Sequence, residues 1–433
     1  MYTNAIFYQL ALRTFTPEGT LKAAEEMIPY LASLGIDYIY LCPMFCEDAD
    51  EDRSTWGARR KAAGSNNPKS PYKIKDYFHV DEEFGTDEDL KRFAKTAHEH
   101  GLKLMYDLVY LHCGRNAVFI KEHPDWVEQD ENGNPRVGER WPLARINFAS
   151  KGVREYLKSH MLTLIREYGA DGFRADCGDM IPLDFWREAI AECRAAKDDL
   201  VFVNEGDNRE YLVDAFDLDY SGRMMFSFYY TDAGIKWYGH NGLYRWINNR
   251  HERRLLNHYE NHDIATDEYP NRQETIYGAD AADSVIFWMY FLNGCPMLWN
   301  GNEISDTSEQ NMHHNRFHAG FNHNSINWSN ALREKGQRRL KLIRTLNRIR
   351  HENPMLLDAT VTLLSDETAT TVAFEREKDG VRILCVCNAS DKPSVYDIHG
   401  YENGSVLISQ GVCQSGAHLE LAPYGFLAIK AAD

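Results

Sequence analysis

The 433-residue chain lacks the features that mark several large classes of protein. It has no excess of positive charge: 48 Lys and Arg stand against 65 Asp and Glu, a formal net charge of −17. No basic cluster is interleaved with aromatics, so nucleic acid and anionic membrane surfaces are poor partners. No uninterrupted apolar run reaches the roughly 18 residues that a membrane-spanning helix needs. The first ten residues, Met1 to Leu10, lack the basic stretch and long apolar core of a secretion signal, and a cytoplasmic location is the expectation. The nine cysteines (Cys42, Cys46, Cys113, Cys177, Cys193, Cys295, Cys385, Cys387 and Cys413) are odd in number and show no metal-ligand or disulfide-framework spacing. They predict free thiols in a reducing compartment. Low-complexity tracts, and any sequence repeat with a period of about 20–50 residues, are also missing.

What is present is enough for a large packed core, with 43% apolar residues and 12% aromatics. At this length a large domain with a smaller companion is expected. Short β-rich runs alternate with helical patterns, the signature of βα units around a parallel sheet. Ala5 to Leu10 reads as the first strand, and Asp37 to Cys42, closed by Pro43, as the second. Thr86 caps a helix whose apolar positions Leu90, Phe93, Ala94 and Ala97 repeat at helical spacing until Gly101, and Lys103 to Leu108 follows as strand three. A helix through Val153, Leu157 and Leu164 ends at Gly169 and leads into the strand Gly172-Phe173-Arg174-Ala175-Asp176. Further strands are expected at Leu200 to Glu205, near Ala215 to Leu218, at Leu255 to Asn261 and at Pro296 to Trp299.

Beyond the helix carrying Leu342, Ile343, Leu346 and Ile349, the pattern changes. Strands Thr371 to Arg376 and Val381 to Cys387 flank an Asp379-Gly380 turn. The fold class predicted is α/β: a (β/α)8 TIM barrel over residues 1–112 and 148–353, a short insertion after strand three at 113–147, and a C-terminal all-β sandwich domain at 354–433.

Active sites of such barrels sit at the C-terminal ends of the strands. Asp107, Arg174, Asp176, Glu205, His262 and Asp263 all fall there. A lone Asp at a strand end is more often a helix cap or surface residue, and a His next to an Asp is commonly a hydrogen-bonded pair; their joint placement at successive strand ends points to chemistry. In Gly172 to Asp176, alternation puts Arg174 and Asp176 on one side of the strand, and the cation is expected to keep the carboxylate ionised by lowering its pKa. An ionised carboxylate beside one that holds a proton is the requirement of retaining glycoside hydrolysis. Asp176 would attack the anomeric carbon, Glu205, at the end of an apolar strand, would protonate the leaving oxygen and then activate water, and Asp263 would orient sugar hydroxyls.

These residues resemble the α-amylase family of retaining α-glycoside hydrolases, glycoside hydrolase family thirteen. Asp107 to His112 is similar to its first signature region, Gly172 to Asp176 to the second, Glu205 to the acid/base position, and Glu260-Asn261-His262-Asp263 to the region holding the transition-state stabiliser. Gly35 to Pro43 is similar to the family's second strand and Gly294 to Glu303 to its eighth. Tyr72 to Tyr77 resembles the stretch whose first tyrosine stacks on the innermost sugar. The resemblance therefore implies Tyr72 as a sugar platform, with His112 and His262 binding hydroxyls of the same glucose.

The chain departs from the family pattern in places. Leu111 stands where calcium-dependent members carry Asn, and leucine offers no oxygen ligand, so no cofactor is expected. Cys177-Gly178-Asp179-Met180 replaces the Lys-His pair of many endo-acting α-amylases, and Arg145 stands where an aspartate is common. The short insertion favours short oligosaccharides over polymer. Trp56 and Trp299 read as packing, and His313, His314, His318 and His323 as a polar loop near the site. Glu303 reads as a carboxylate of the mouth. The reading is a hydrolase of α-glucosidic bonds in maltooligosaccharides or similar short α-glucosides. Interception of the same covalent intermediate by a sugar or phosphate would make it a transferase, phosphorylase or isomerase, and a non-catalytic carbohydrate-binding barrel is the alternative from another class.

Overall fold

The computed structural model describes residues 4–57, 60–61, 64–138, 141–206, 208–220, 254–267, 272–312, 324–365 and 370–432. Its strands, in chain order, are β1 (Phe7–Leu10), β2 (Tyr38–Leu41), β3 (Lys103–Leu108), β4 (His112–Cys113), β5 (Ala144–Arg145), β6 (Gly172–Ala175), β7 (Val201–Asn204), β8 (Leu218–Tyr220), β9 (Leu255–Asn257), β10 (Cys295–Trp299), β11 (Thr360–Leu363), β12 (Thr371–Lys378), β13 (Val381–Asn388), β14 (Ser394–Asp397), β15 (Ser405–Ser415) and β16 (His418–Lys430). Eight of them close into a parallel barrel in the order β1-β10-β9-β8-β7-β6-β3-β2.

The barrel is filled by every second residue of its strands. Phe7, Tyr38, Tyr40, Met105, Val201, Val203, Leu218, Tyr220, Leu256, Cys295 and Met297 form one buried interior cluster, as the two-residue side-chain period of a strand requires. The alternate set, including Tyr8, Leu10, Ile39, Leu41, Leu104, Tyr106 and Phe202, packs outward into the main core with the helices. Helix Asp87–Glu99 starts at a capping box between Thr86 and Asp89. Helix Lys151–Tyr168 ends at Gly169, whose φ of 64° is left-handed and suits glycine.

Two strands differ from expectation. The sixth barrel strand is Leu218–Tyr220, because the preceding helix Arg209–Asp214 runs to a C-cap at Ala215. Asp217 is then taken up in accepting the amide of Phe202 at 2.8 Å. The seventh ends at Asn257, whose side chain donates to the Asn293 carbonyl at 2.7 Å, and a helix from His262 follows.

After β3, the antiparallel pair β4-β5 spans the base of the insertion, with His112 opposite Arg145. The C-terminal strands form one antiparallel network, β11-β12-β13-β16-β14, with β15 also on β16. The two halves of β16 bond different neighbours, Phe426 to Lys430 to β13 and His418 to Leu421 to β14. Asp379 and Gly380 both take positive φ, 51° and 81°, the hairpin turn that the Asp-Gly pair predicts. This domain rests on helix Ala279–Phe291, where the rings of Phe287 and Phe426 stack at 4.6 Å. Buried Arg376 donates to the carbonyls of Phe291, Leu356 and Ala359, and Arg350 donates to those of Tyr290, Leu292 and Gly294. Two arginines thereby satisfy the carbonyls at the end of a helix that is buried on all sides.

Candidate active site

The alternation that fills the barrel with apolar side chains delivers polar ones at its C-terminal rim. Asp107 and Arg174 are ladder partners across β3 and β6, so they enter the mouth side by side. Arg174 is completely buried. Its Nη1 donates to Asp107 Oδ1 at 2.8 Å and Oδ2 at 3.0 Å, and to Asp176 Oδ1 at 2.9 Å. Its Nη2 lies 2.9 Å from Glu205 Oε2, and the guanidinium carbon sits 5.1 Å from the centre of the Tyr220 ring. One cation is thus shared among three carboxylates.

Oxygens of Asp176 and Glu205 and the sulfur of Cys177 lie within 4.8 Å of one another. Burial, and after it the charge of Glu205, push the Asp176 carboxyl well above the usual carboxylate range, with Arg174 opposing. Arg174 lowers it as expected, but the net direction is upward, against the expectation that the cation keeps the carboxylate ionised. The guanidinium also serves Asp107 and Glu205, and the site is dry enough that desolvation outweighs the remaining attraction. The Glu205 side chain is 27% exposed and that of Asp176 9%. Glu205 Oε2 also accepts the amide of Cys177 at 2.7 Å.

A hydrogen-bonded chain crosses the mouth from β1 to β3. Gln9 Nε2 is 2.8 Å from His262 Nδ1, and Gln9 Oε1 accepts the His262 amide at 3.3 Å. Because the Gln9 amide group donates, Nδ1 accepts and His262 carries its proton on Nε2, 2.8 Å from the Tyr72 hydroxyl. Tyr72 in turn donates to Asp107 Oδ2 at 3.1 Å, and Tyr40 donates to the same oxygen at 2.6 Å. The Tyr72 and His262 rings are stacked at 5.2 Å.

His112 Nε2 lies 4.0 Å from Asp176 Oδ2. Burial, with the nearby Arg145 cation, pulls His112 down to about 4, so it meets the site as a neutral imidazole. Asp263, 31% exposed, lies 3.7 Å from His262 Nε2. Burial and then the charges of Asp176 and Glu205 push the Cys177 thiol up. Tyr72, Asp107, His112, Arg174, Asp176, Glu205, His262 and Asp263 therefore gather at one mouth.

Sequence reasoning passed over Gln9, Tyr40 and Tyr220. The signal was the strand alternation itself, which sends these polar atoms inward at the same rim. Glu303 is not at the mouth: it is fully buried and accepts from the hydroxyls of Tyr8 and Tyr30. Trp299 is buried against Ala11, Cys42, Ala265 and Met312, and Trp56 lies under the guanidinium of Arg60 at 3.8 Å. His313, His314, His318 and His323 lie outside the described residues. Calcium does not fit the position that the resemblance implied. Leu111 offers a buried apolar side chain with no oxygen ligand, and Arg145, paired with His112 across β4-β5, adds a cation beside it.

The family model described as the catalytic domain of α-amylase matches residues 5–133. The α-amylase MalA of Haloarcula japonica is 24% identical over 94% of this chain and 58% of its own length. Over these stretches the chain is similar to the α-amylase family. A second relative, an α-1,4-glucan:maltose-1-phosphate maltosyltransferase of Picrophilus torridus, is 23% identical over 92% of this chain and 65% of its own. The chain thus spans less than two thirds of the length of either relative. The crystal structure of an α-amylase from Lactobacillus plantarum superposes with a TM-score of 0.79 at 21% identity, covering 99% of both chains. At that identity the likeness speaks for the fold alone.

Proposed function

We propose that this protein is a member of the α-amylase family and a retaining α-glycoside hydrolase that cleaves α-glucosidic bonds of short maltooligosaccharides or related α-glucans by double displacement. The observation that carries the reading is the pair Asp176 and Glu205, with oxygens within 4.8 Å of each other on one shared guanidinium. Two carboxyl groups this close suit a nucleophile and an acid/base, the arrangement of retaining rather than inverting enzymes.

In this mechanism the proton held by the raised Asp176 carboxyl passes to Glu205 as substrate binds. Substrate binding next to Arg174 leaves Asp176 ionised, and its oxygen forms the bond to the anomeric carbon. Glu205, the more open of the two, gives its proton to the departing oxygen and then takes one from the attacking water. Asp263 and neutral His112 bind hydroxyls of the same sugar, and His262 and Tyr72 are locked for the same task by Gln9 and Asp107. Small oligosaccharides are the partners proposed, with neither nucleic acid nor membrane. The cytoplasmic location proposed is supported by nine free cysteines. Among the described residues no helix is long and apolar enough to cross a membrane.

Incubation with maltotriose tests the reading. Glucose and maltose as sole products, released first as α-anomers, support retaining hydrolysis. Longer oligosaccharides would show transfer through the same intermediate, the second reading raised by the maltosyltransferase relative. Release of β-anomers would exclude a double displacement.

A further inference from the structure

We propose that Asp179 is a positioning residue for Glu205, and that the turn following Asp176 acts as a clamp on the proton donor. The inference rests on the reading of Glu205 as acid/base. The turn Gly178–Met180 is entered through Cys177, a non-glycine residue in left-handed conformation at φ 46° and ψ 42°. That conformation is uncommon for a residue with a Cβ, and it aims the Cys177 amide at Glu205 Oε2, 2.7 Å away.

The same turn grips the chain on both sides of Glu205. Asp179 Oδ1 accepts from the side chain of Asn204 at 3.0 Å, and Oδ2 accepts the amide of Asn208 at 3.1 Å. One carboxylate therefore bridges the residue before Glu205 and the one three after it. The two segments cross so closely that only glycine fits at the contacts. A Cβ at Gly206 would lie 1.4 Å from Asp179 Oδ1, and one at Gly178 would lie 2.1 Å from Asn204 Oδ1.

The clamp is itself anchored. Trp186 donates to the Gly178 carbonyl at 3.1 Å and Tyr211 to the Ile181 carbonyl at 2.8 Å. Asn204 also reaches Asp219 on β8 at 3.3 Å. Asp179 thus joins the turn after the nucleophile to the strand end that carries the acid/base, and the spacing between the two carboxyl groups is set by bonds that Asp179 makes.

The test compares the parent with Asp179→Ala, Asp179→Asn and Glu205→Gln on two substrates. Maltotriose needs its leaving oxygen protonated; α-glucosyl fluoride releases fluoride without a proton. If Asp179 acts through Glu205, Asp179→Ala should lose about 10- to 100-fold in kcat/KM on maltotriose and no more than about threefold on the fluoride. The basic limb of its pH–rate profile should also move. Asp179→Asn has the same shape and keeps one acceptor, so it should show a smaller split of the same kind, and it carries the test if the alanine variant does not fold. Equal losses on both substrates, or no loss on either, would overturn the clamp. Failure of Glu205→Gln to discriminate between the substrates would instead overturn the assignment of Glu205.

Discussion

Arg174 and Asp176 are joined Nη1 to Oδ1 at 2.9 Å, yet the Asp176 carboxyl is raised well above the usual range. The ion pair is real, but it is one of three on a single buried guanidinium, and desolvation exceeds the attraction left for Asp176.

A consequence for stability follows from linkage. A carboxyl whose folded pKa lies above its unfolded value binds more protons folded than unfolded between the two. Folded-state stability therefore falls as pH rises from the ordinary carboxylate range through the raised value. Asp176→Asn removes that charge while leaving Arg174 paired with Asp107 and Glu205. The variant should lose at least roughly 10⁴-fold in kcat yet melt above the parent at pH 7–8. The gap should close as the pH is lowered toward the ordinary carboxylate range, as thermal unfolding followed by circular dichroism across that range would show.

Removing the shared cation should do the reverse. With Arg174→Met, the buried carboxylates Asp107 and Asp176 lose their counter-charge, a change that costs about 3–5 kcal/mol when one partner of a buried pair is deleted. Urea unfolding at neutral pH should show a lower midpoint, and part of the loss should be recovered at acidic pH, where the orphaned carboxylates take up protons. Arg174→Lys, a point charge with no planar fork, should be intermediate.

Much of the barrel and its mouth was legible because strand periodicity is a local signal. The alternation in Gly172 to Asp176 and Leu200 to Glu205 fixes which side chains enter the barrel, and a strand end fixes where they emerge. Gln9, Tyr40 and Tyr220 obey the same rule, but an inward aromatic or amide at a strand end looks like packing until its partner on another strand is known. The direction of the Asp176 shift was illegible for a related reason: it depends on how many carboxylates share Arg174, a count set by three strands together. The sixth strand was misplaced because Phe216 and Leu218 flank an aspartate that bonds backward to Phe202. The burial of Glu303 needed the hydroxyls of Tyr8 and Tyr30, both remote in sequence.

Glu303 gives a prediction independent of catalysis. Burial pushes its carboxyl up to about 7, against hydrogen bonds from Tyr8 and Tyr30 that lower it. By the same sign rule, the parent should lose stability as pH rises from 5 to 8, by on the order of 2 kcal/mol from this group. Glu303→Gln, neutral and of the same shape, should lack that component. Parallel melting curves for the two proteins across this range would contradict the buried placement of Glu303.

The most direct measurement of the central claim is covalent trapping. Incubation with 5-fluoro-α-glucosyl fluoride, whose second ring fluorine slows breakdown of the glycosyl-enzyme, should inactivate the protein with one label per chain. Peptide mapping by mass spectrometry should find that label on Asp176, with none on Asp176→Asn. A label on Glu205 or Asp263, or turnover of maltotriose by Asp176→Asn at the parental rate, would contradict the assignment of Asp176 as the nucleophile.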